Sequence, residues 1–322
     1  MKIGDIEIDG RTAALAPMAG VADRAFRELC VRYGASYVVS EMVSSKGLTM
    51  HDRKSKQLLF LSKEERPAAA QIFGSDPAIM AESAKGCLAF EPDAIDINMG
   101  CPAPKIAGNG GGSALMRNPE LAEEIMQSVK AAVDIPVTVK IRLGWDSDNI
   151  NCIDMAQRAE RAGMSAITVH GRTRQQMYAP PVDRKMIAEV KKSIGIPLIA
   201  NGDIVDGITA AQMIEDTNCD YLMVGRGALG RPWVFSQINA YLKNGIILPE
   251  PPVSERMRVM VEHIKLICEY KGERVGIREA RKHAAWYIKG IHGAAQYRQQ
   301  VGTLESIEQL EELAFKIVKE NV

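Results

Sequence analysis

Eight short apolar runs recur along the chain, at 13–17, 37–42, 69–73, 94–98, 137–141, 166–170, 197–201 and 221–224. Each is followed by a stretch with helical spacing, clearest at 120–133, 151–162 and 184–193. Continuous apolar strands alternating with helices predict a parallel sheet covered on both faces. Eight such units fit a (β/α)8 TIM barrel, which takes about 250 residues. A doubly wound open sheet is the alternative with the same alternation. After a helix expected at 233–244, Leu248-Pro249-Glu250-Pro251-Pro252 breaks the pattern and reads as a linker. Beyond it, 254–271, 278–292 and 303–319 read as three helices. The expected architecture is α/β: a TIM barrel over 1–246, a Pro-rich linker at 247–252 and a small all-helical C-terminal domain over 253–322.

The strand ends carry a second pattern. They read Met18-Ala19-Gly20, Glu41-Met42, Gln71, Asn98 to Cys101, Lys140-Ile141-Arg142, His170-Gly171-Arg172, Asn201-Gly202-Asp203 and Gly225-Arg226. Polar residues after nearly every strand fall on one end of the barrel, the rim where such folds build their chemistry.

The chain has 322 residues, with 40 Lys+Arg against 40 Asp+Glu, so no global charge points to nucleic acid. A local imbalance does. Over 256–298 there are ten basic residues (Arg256, Arg258, Lys265, Lys271, Arg274, Arg278, Arg281, Lys282, Lys289, Arg298) and four acidic ones (Glu262, Glu269, Glu273, Glu279). Trp286, Tyr287 and Tyr297 are interleaved. A solvated helical face over an aromatic core explains this, and so does a grip on a phosphate backbone. The six cysteines show no CxxC spacing, which argues against a zinc site and for free thiols in a reducing compartment. The N-terminal segment lacks a signal pattern and no run approaches membrane-span length, so a cytoplasmic protein is expected.

Cys101 sits between Gly100 and Pro102, directly after the run at 94–98. Such a turn aims a side chain outward at the mouth of a strand; an ordinary packed thiol is the alternative. Gly225-Arg226-Gly227-Ala228-Leu229-Gly230 fits GxGxxG, but the acidic residue a Rossmann site needs about 20 residues later would be Glu250, inside the linker. A phosphate cradle shared with Asn201-Gly202-Asp203 is the better reading, because barrels bind phosphates with their last two loops. That suits a mononucleotide such as FMN. Lys140 is either a Schiff-base lysine or a fixed positive charge beside a flavin. Gln71 would offer an amide to a flavin's pyrimidine edge. His170, Arg172 and Arg174 suit an anionic ligand, with surface salt bridging as the alternative for the arginines.

Together these residues resemble the tRNA-dihydrouridine synthases, the bacterial B-type branch in particular, over almost the whole chain. The resemblance rests on Ala16-Pro17-Met18-Ala19-Gly20-Val21-Ala22-Asp23, Ser40-Glu41-Met42 and Asp96-Ile97-Asn98-Met99-Gly100-Cys101-Pro102. Lys140-Ile141-Arg142, His170-Gly171-Arg172-Thr173-Arg174, Asn201-Gly202-Asp203-Ile204 and Gly225-Arg226-Gly227 follow in family order. Residues 281–290 resemble the family's helical tRNA-binding domain. Ala22 replaces a threonine, 179–184 lacks the usual glycine and tryptophan, and 107–112 lacks a basic residue often found there.

The resemblance implies an FMN enzyme that uses NADPH to reduce C5=C6 of particular uridines in tRNA. It implies that Pro17, Met18 and Ala19 line the flavin, that Gln71 and Lys140 bond its ring, and that His170 sits beside it. Asn201, Gly202, Asp203, Gly225 and Arg226 would hold its phosphate end. Asn98 and Arg142 would meet the uracil, with Arg172 and Arg174 also on the substrate. Cys101 would give a proton to C5 as a general acid, since an ordinary thiol (pKa about 8.5) is protonated at neutral pH. A flavin barrel acting on a free pyrimidine, as dihydroorotate dehydrogenases do, explains the rim but leaves 253–322 without a purpose. A non-catalytic RNA-binding role leaves Cys101 and Lys140 unexplained.

Overall fold

The computed structural model describes residues 1–50 and 52–321. A small antiparallel ribbon, β1 (Lys2–Ile3) and β2 (Ile6–Glu7), precedes the main sheet. The main sheet is all parallel: β3 (Ala13–Leu15), β4 (Val38–Val39), β5 (Val43–Ser44), β6 (Ala68–Phe73), β7 (Ala94–Met99), β8 (Val137–Arg142), β9 (Ala166–His170), β10 (Leu198–Asn201) and β11 (Tyr221–Val224). β11 pairs with β3, β3 with β4, and β4 with β6, so the sheet closes on itself. β4 and β5 are two halves of one barrel strand, interrupted at 40–42, and the barrel has eight positions. Closure removes the open-sheet alternative.

The two faces of the strands explain the apolar runs. Outward side chains such as Leu15, Ile72, Ile97, Val139, Val169 and Val224 are buried under the helices. Inward side chains are mainly apolar at the bottom, where Ala14, Ala69, Ala94, Ala166, Ile199 and Tyr221 pack with Ile3 and Ile8 of the N-terminal segment. Higher up, the inward positions turn polar. The crossover helices start where Asp and Asn side chains accept a first-turn N–H: Asp76 from Ile79, Asn118 from Leu121, Asp183 from Met186 and Asp206 from Thr209.

Past the barrel, Glu250 ties the proline-rich segment down by bonding Arg231 and the Trp233 indole N–H (2.9 Å). Four helices follow, at Val253–Lys271, Glu273–Tyr287, Ala294–Val301 and Ile307–Glu320, where sequence reading expects three. The expected helix at 278–292 ends early because Gly290 (φ 80°) and Gly293 (φ 75°) both take left-handed backbone, and a new helix starts after them. These helices share their own core, which includes Tyr287 and Tyr297. They dock on the helix Arg24–Arg32 that follows β3. His263 stacks on Phe26 (5.2 Å), Lys271 pairs with Asp23 (2.7 Å), and the Tyr270 hydroxyl donates to Glu28 (2.6 Å). No helix among the described residues is long and apolar enough to cross a membrane.

Candidate active site

Strand register assembles the upper half of the barrel. Gln71 lies opposite Asp96 and Asp96 opposite Thr138; one step higher, Asn98 lies opposite Lys140. Arg142 then lies opposite His170, and His170 opposite Asn201. Neighbours in parallel strands share a face, so these side chains meet inside the mouth. Asp96, 3% exposed, is the foundation: it accepts from Gln71 Nε2 (2.7 Å) and Thr138 Oγ1 (2.5 Å). Gln71 Oε1 in turn accepts from Asn98 Nδ2 (2.9 Å). Burial raises the Asp96 carboxyl above its usual range, against the lowering effects of these bonds and of Lys140.

Asn98 carries the network to the cysteine. Its Oδ1 accepts from the backbone N–H groups of Gly100 (3.2 Å) and Cys101 (2.9 Å). On the other side, Arg142 Nε donates to the Gly100 carbonyl (2.7 Å), while Nη1 donates to the carbonyls of Thr173 and Met177 (2.9 and 2.8 Å). The Ser113 N–H caps the Cys101 carbonyl (3.1 Å). The turn is thus fixed from three sides, and Cys101 alone of the six free thiols is not buried. Desolvation raises its pKa above that of an ordinary thiol, which keeps it a thiol at neutral pH.

The mouth holds more positive than negative charge. Arg142 has no carboxylate partner among the described residues, and burial lowers its pKa to about 10. Lys140 falls to about 7, first through burial and then through Arg142, with Asp96 opposing. Lys140 Nζ donates to Asn201 Oδ1 (3.0 Å), and Asn201 Nδ2 donates to the Met223 carbonyl (2.8 Å). His170 is held far below its ordinary pKa by burial and by Lys140, Arg142, Arg172 and Arg226. Its Nε2 lies 3.2 Å from Arg172 Nη1. A guanidinium only donates, so Nε2 accepts and the ring proton sits on Nδ1. Asp203 joins Arg172 (2.5 Å) to Arg226 (3.3 Å). Arg226 remains half exposed, with Tyr178 beneath its guanidinium (4.8 Å).

The expected phosphate loops meet beside this group. Among the described residues, the backbone N–H groups of Gly225, Arg226 and Gly227 donate to no acceptor in the fold, as in an anion-binding nest. Gly202 (φ 130°) must be glycine, since a Cβ there would stand 2.6 Å from Val182 and 3.2 Å from the His170 ring. Pro17, Met18 and Ala19 form the partly exposed rim above β3, and the Gly20 N–H at their end is held by the Glu41 carboxylate. A partly exposed apolar rim, free backbone donors and unpaired cations together suit a flat anionic mononucleotide.

Three expected residues are not free at an open mouth. Arg172 is 1% exposed and committed to Asp203, His170 and the Ala179 carbonyl. Arg174 points along the rim and lies over Trp145 (4.7 Å). Gln71 is fully buried and retains only one free N–H. Sequence reading missed Asp96 as the foundation of the site; a carboxylate inside a buried run, two residues before Asn98, was the available signal.

A closed parallel barrel with an ordered thiol and free backbone donors at its C-terminal rim places the chain among barrel enzymes that build their chemistry on that rim. Comparison narrows the class: residues 14–321 match the dihydrouridine synthase (Dus) model, and the chain belongs to that family. It is 45% identical over 305 residues to a protein named tRNA-dihydrouridine synthase B from Pseudomonas aeruginosa, covering 95% of this chain and 92% of the relative. A protein of the same name from Vibrio vulnificus is 44% identical over 306 residues, covering 95% of each. Among solved structures, an old yellow enzyme homologue from Zymomonas mobilis shares the fold with TM-score 0.52 and 12% identity, over 75% of this chain and 90% of its own.

Proposed function

We propose that this protein reduces the C5=C6 bond of uridines in tRNA, with bound FMN and with NADPH as the reductant. The carrying observation is the Cys101 turn, locked by Asn98 and Arg142 beside an uncompensated positive cluster. Family membership across both the barrel and the helical region supports tRNA over a free pyrimidine as the acceptor, and a tRNA substrate fits a cytoplasmic location.

The residues fit FMN. Gly225, Arg226 and Gly227 would hold its phosphate through backbone N–H groups and one guanidinium, beside Asn201, Gly202 and Asp203. Pro17, Met18 and Ala19 would cover the ring, and Gln71 would offer its remaining N–H. Lys140 would stand against the ring with its charge, and His170, fixed as the Nδ1–H tautomer, could donate but not titrate near neutral pH. When bound and reduced, FMN would supply the hydride chemistry needed at uracil C6. The uracil also needs a proton at C5, and Cys101 holds one because burial keeps its thiol intact. Asn98 and Arg142 hold the turn that aims that proton; Arg142 also keeps a positive charge within reach of the thiolate left behind. Removing a base from its stack costs a few kcal/mol.

Contacts to the RNA backbone would offset that cost. Of the ten basic residues at 256–298, five are engaged: Arg256 and Arg281 hold carbonyls, while Arg258, Lys265 and Lys271 pair with carboxylates. Arg274, Arg278 and Lys282 are exposed, have no carboxylate partner among the described residues, and are spaced four residues apart along one face of the helix Glu273–Tyr287. Lys282 Nζ lies against Gly20, at the edge of the mouth. The test is dihydrouridine formation in an unmodified tRNA transcript with NADPH and FMN present. Formation supports the reading; reduction of free uracil or dihydroorotate chemistry without tRNA turnover would replace it.

A further inference from the structure

Across the mouth from the helical region lies a cluster that the reaction does not use. Arg117 ends the short helix Gly112–Arg117 after β7, Trp145 lies in the loop after β8, and Arg174 in the loop after β9. The Arg117 guanidinium carbon is 4.9 Å from the Trp145 ring centroid and that of Arg174 is 4.7 Å from it. Among the described residues neither arginine pairs with a carboxylate, and Arg174 Nε is buried with no acceptor. The loop carries two acids, Asp146 and Asp148, and neither pairs with these arginines among the described residues; Asp146 Oδ1 accepts from the Asp148 N–H (3.1 Å) and from Asn149 Nδ2 (2.7 Å). The stack is prebuilt, because Arg174 N–H donates to the Gly144 carbonyl and Gln175 N–H to the Trp145 carbonyl (both 2.9 Å). A recess of about 580 Å³ opens beside it, lined by Met116, Arg117, Trp145 and Asn149 and also by the acids Asp146 and Asp148.

Position gives the cluster its meaning. The helical region docks on the helix after β3, and its Lys282 lies against the loop after β3. β8 is four barrel positions from β3 in either direction, hence diametrically opposite. We infer that Arg117, Trp145 and Arg174 form a second RNA-backbone grip, which takes phosphates of the tRNA strand on the far side of the extruded uridine. Two cations held in place on an aromatic plate suit the phosphates of a ribose–phosphate strand. A strand held on both sides of the mouth can present one nucleotide inward between two fixed points. The inference rests on the tRNA reading and adds where the strand crosses.

The test measures binding of an unmodified tRNA transcript to the FMN-loaded protein over a salt series. R117Q and W145A should each raise Kd by about tenfold, and R117Q should reduce the salt slope by about 0.7, the single-strand value for one phosphate. R117K should restore the slope, and W145F most of the affinity. FMN content and flavin reduction by NADPH should match wild type in R117Q, whose exposed side chain can change without unfolding the rim. Wild-type affinity and slope in R117Q and W145A would overturn the inference while leaving the tRNA reading intact. A wild-type protein that neither binds nor reduces tRNA would overturn both.

Discussion

Lys140→Met separates what the site costs the fold from what it gives the ligand. In the folded protein Lys140 loses its proton near pH 7 instead of 10.5. Below pH 7 it is charged in both folded and unfolded chains, and the fold bears the full cost of burying that charge. Above pH 10.5 it is neutral in both and the cost vanishes, so this contribution to stability rises with pH between the two values. The shift corresponds to about 5 kcal/mol as a ceiling, and the higher effective dielectric of a water-accessible mouth leaves about 2 kcal/mol. Losing the bond to Asn201 subtracts about 1 kcal/mol at every pH. Lys140→Met should therefore make the flavin-free protein more stable by about 1 kcal/mol at pH 6, or about 1–2 °C in Tm. Near pH 10 it should be slightly less stable than wild type, and it should hold FMN poorly at any pH. Melting curves of flavin-free protein from pH 6 to 10 read the crossover. A variant less stable than wild type at pH 6, or a difference that does not change with pH, would refute the reasoning.

Cys101→Ala should keep FMN and bind tRNA yet form no dihydrouridine; full activity, read by nucleoside analysis, would end the general-acid role. Because burial raises the Cys101 pKa above that of an ordinary thiol, the tRNA-dependent reoxidation rate should stay flat from neutral pH upward and fall only in the alkaline range; a rapid-mixing profile that falls near pH 7 would contradict it. Arg27 and Glu65 form a pair 1% and 0% exposed, and Glu65 also accepts from the Ser62 N–H (2.6 Å). Glu65→Gln strands the buried guanidinium and should cost about 3–5 kcal/mol of stability, measured by denaturant unfolding. The triple variant R274Q/R278Q/K282Q should lower the salt slope of tRNA binding by about 2, one increment of about 0.7 per lost phosphate contact.

The barrel was legible because each strand is apolar on its outer face, and that face alone produces the runs at 94–98 and 137–141. What the runs concealed is the inner face, where Asp96, Asn98, Thr138 and Lys140 alternate with the apolar residues. Cys101 stood out through the flanking Gly100 and Pro102, a local signal. The arginines behaved differently: type and place predicted Arg142, Arg172 and Arg174 as ligand contacts. Only the fold shows that Arg172 is buried on Asp203 and that Arg142 clamps the Gly100 carbonyl. Long side chains choose partners across loops, and no spacing along the chain encodes that choice. The same holds for the basic helices, where five of ten charges serve the fold.

The central claim is tested most directly by an anaerobic absorption spectrum of the FMN-loaded protein, reduced with NADPH and then mixed with unmodified tRNA. The flavin band should bleach with NADPH and return only on addition of tRNA that still carries its uridines. A band that tRNA fails to restore, or a protein that takes up no flavin, would contradict the account.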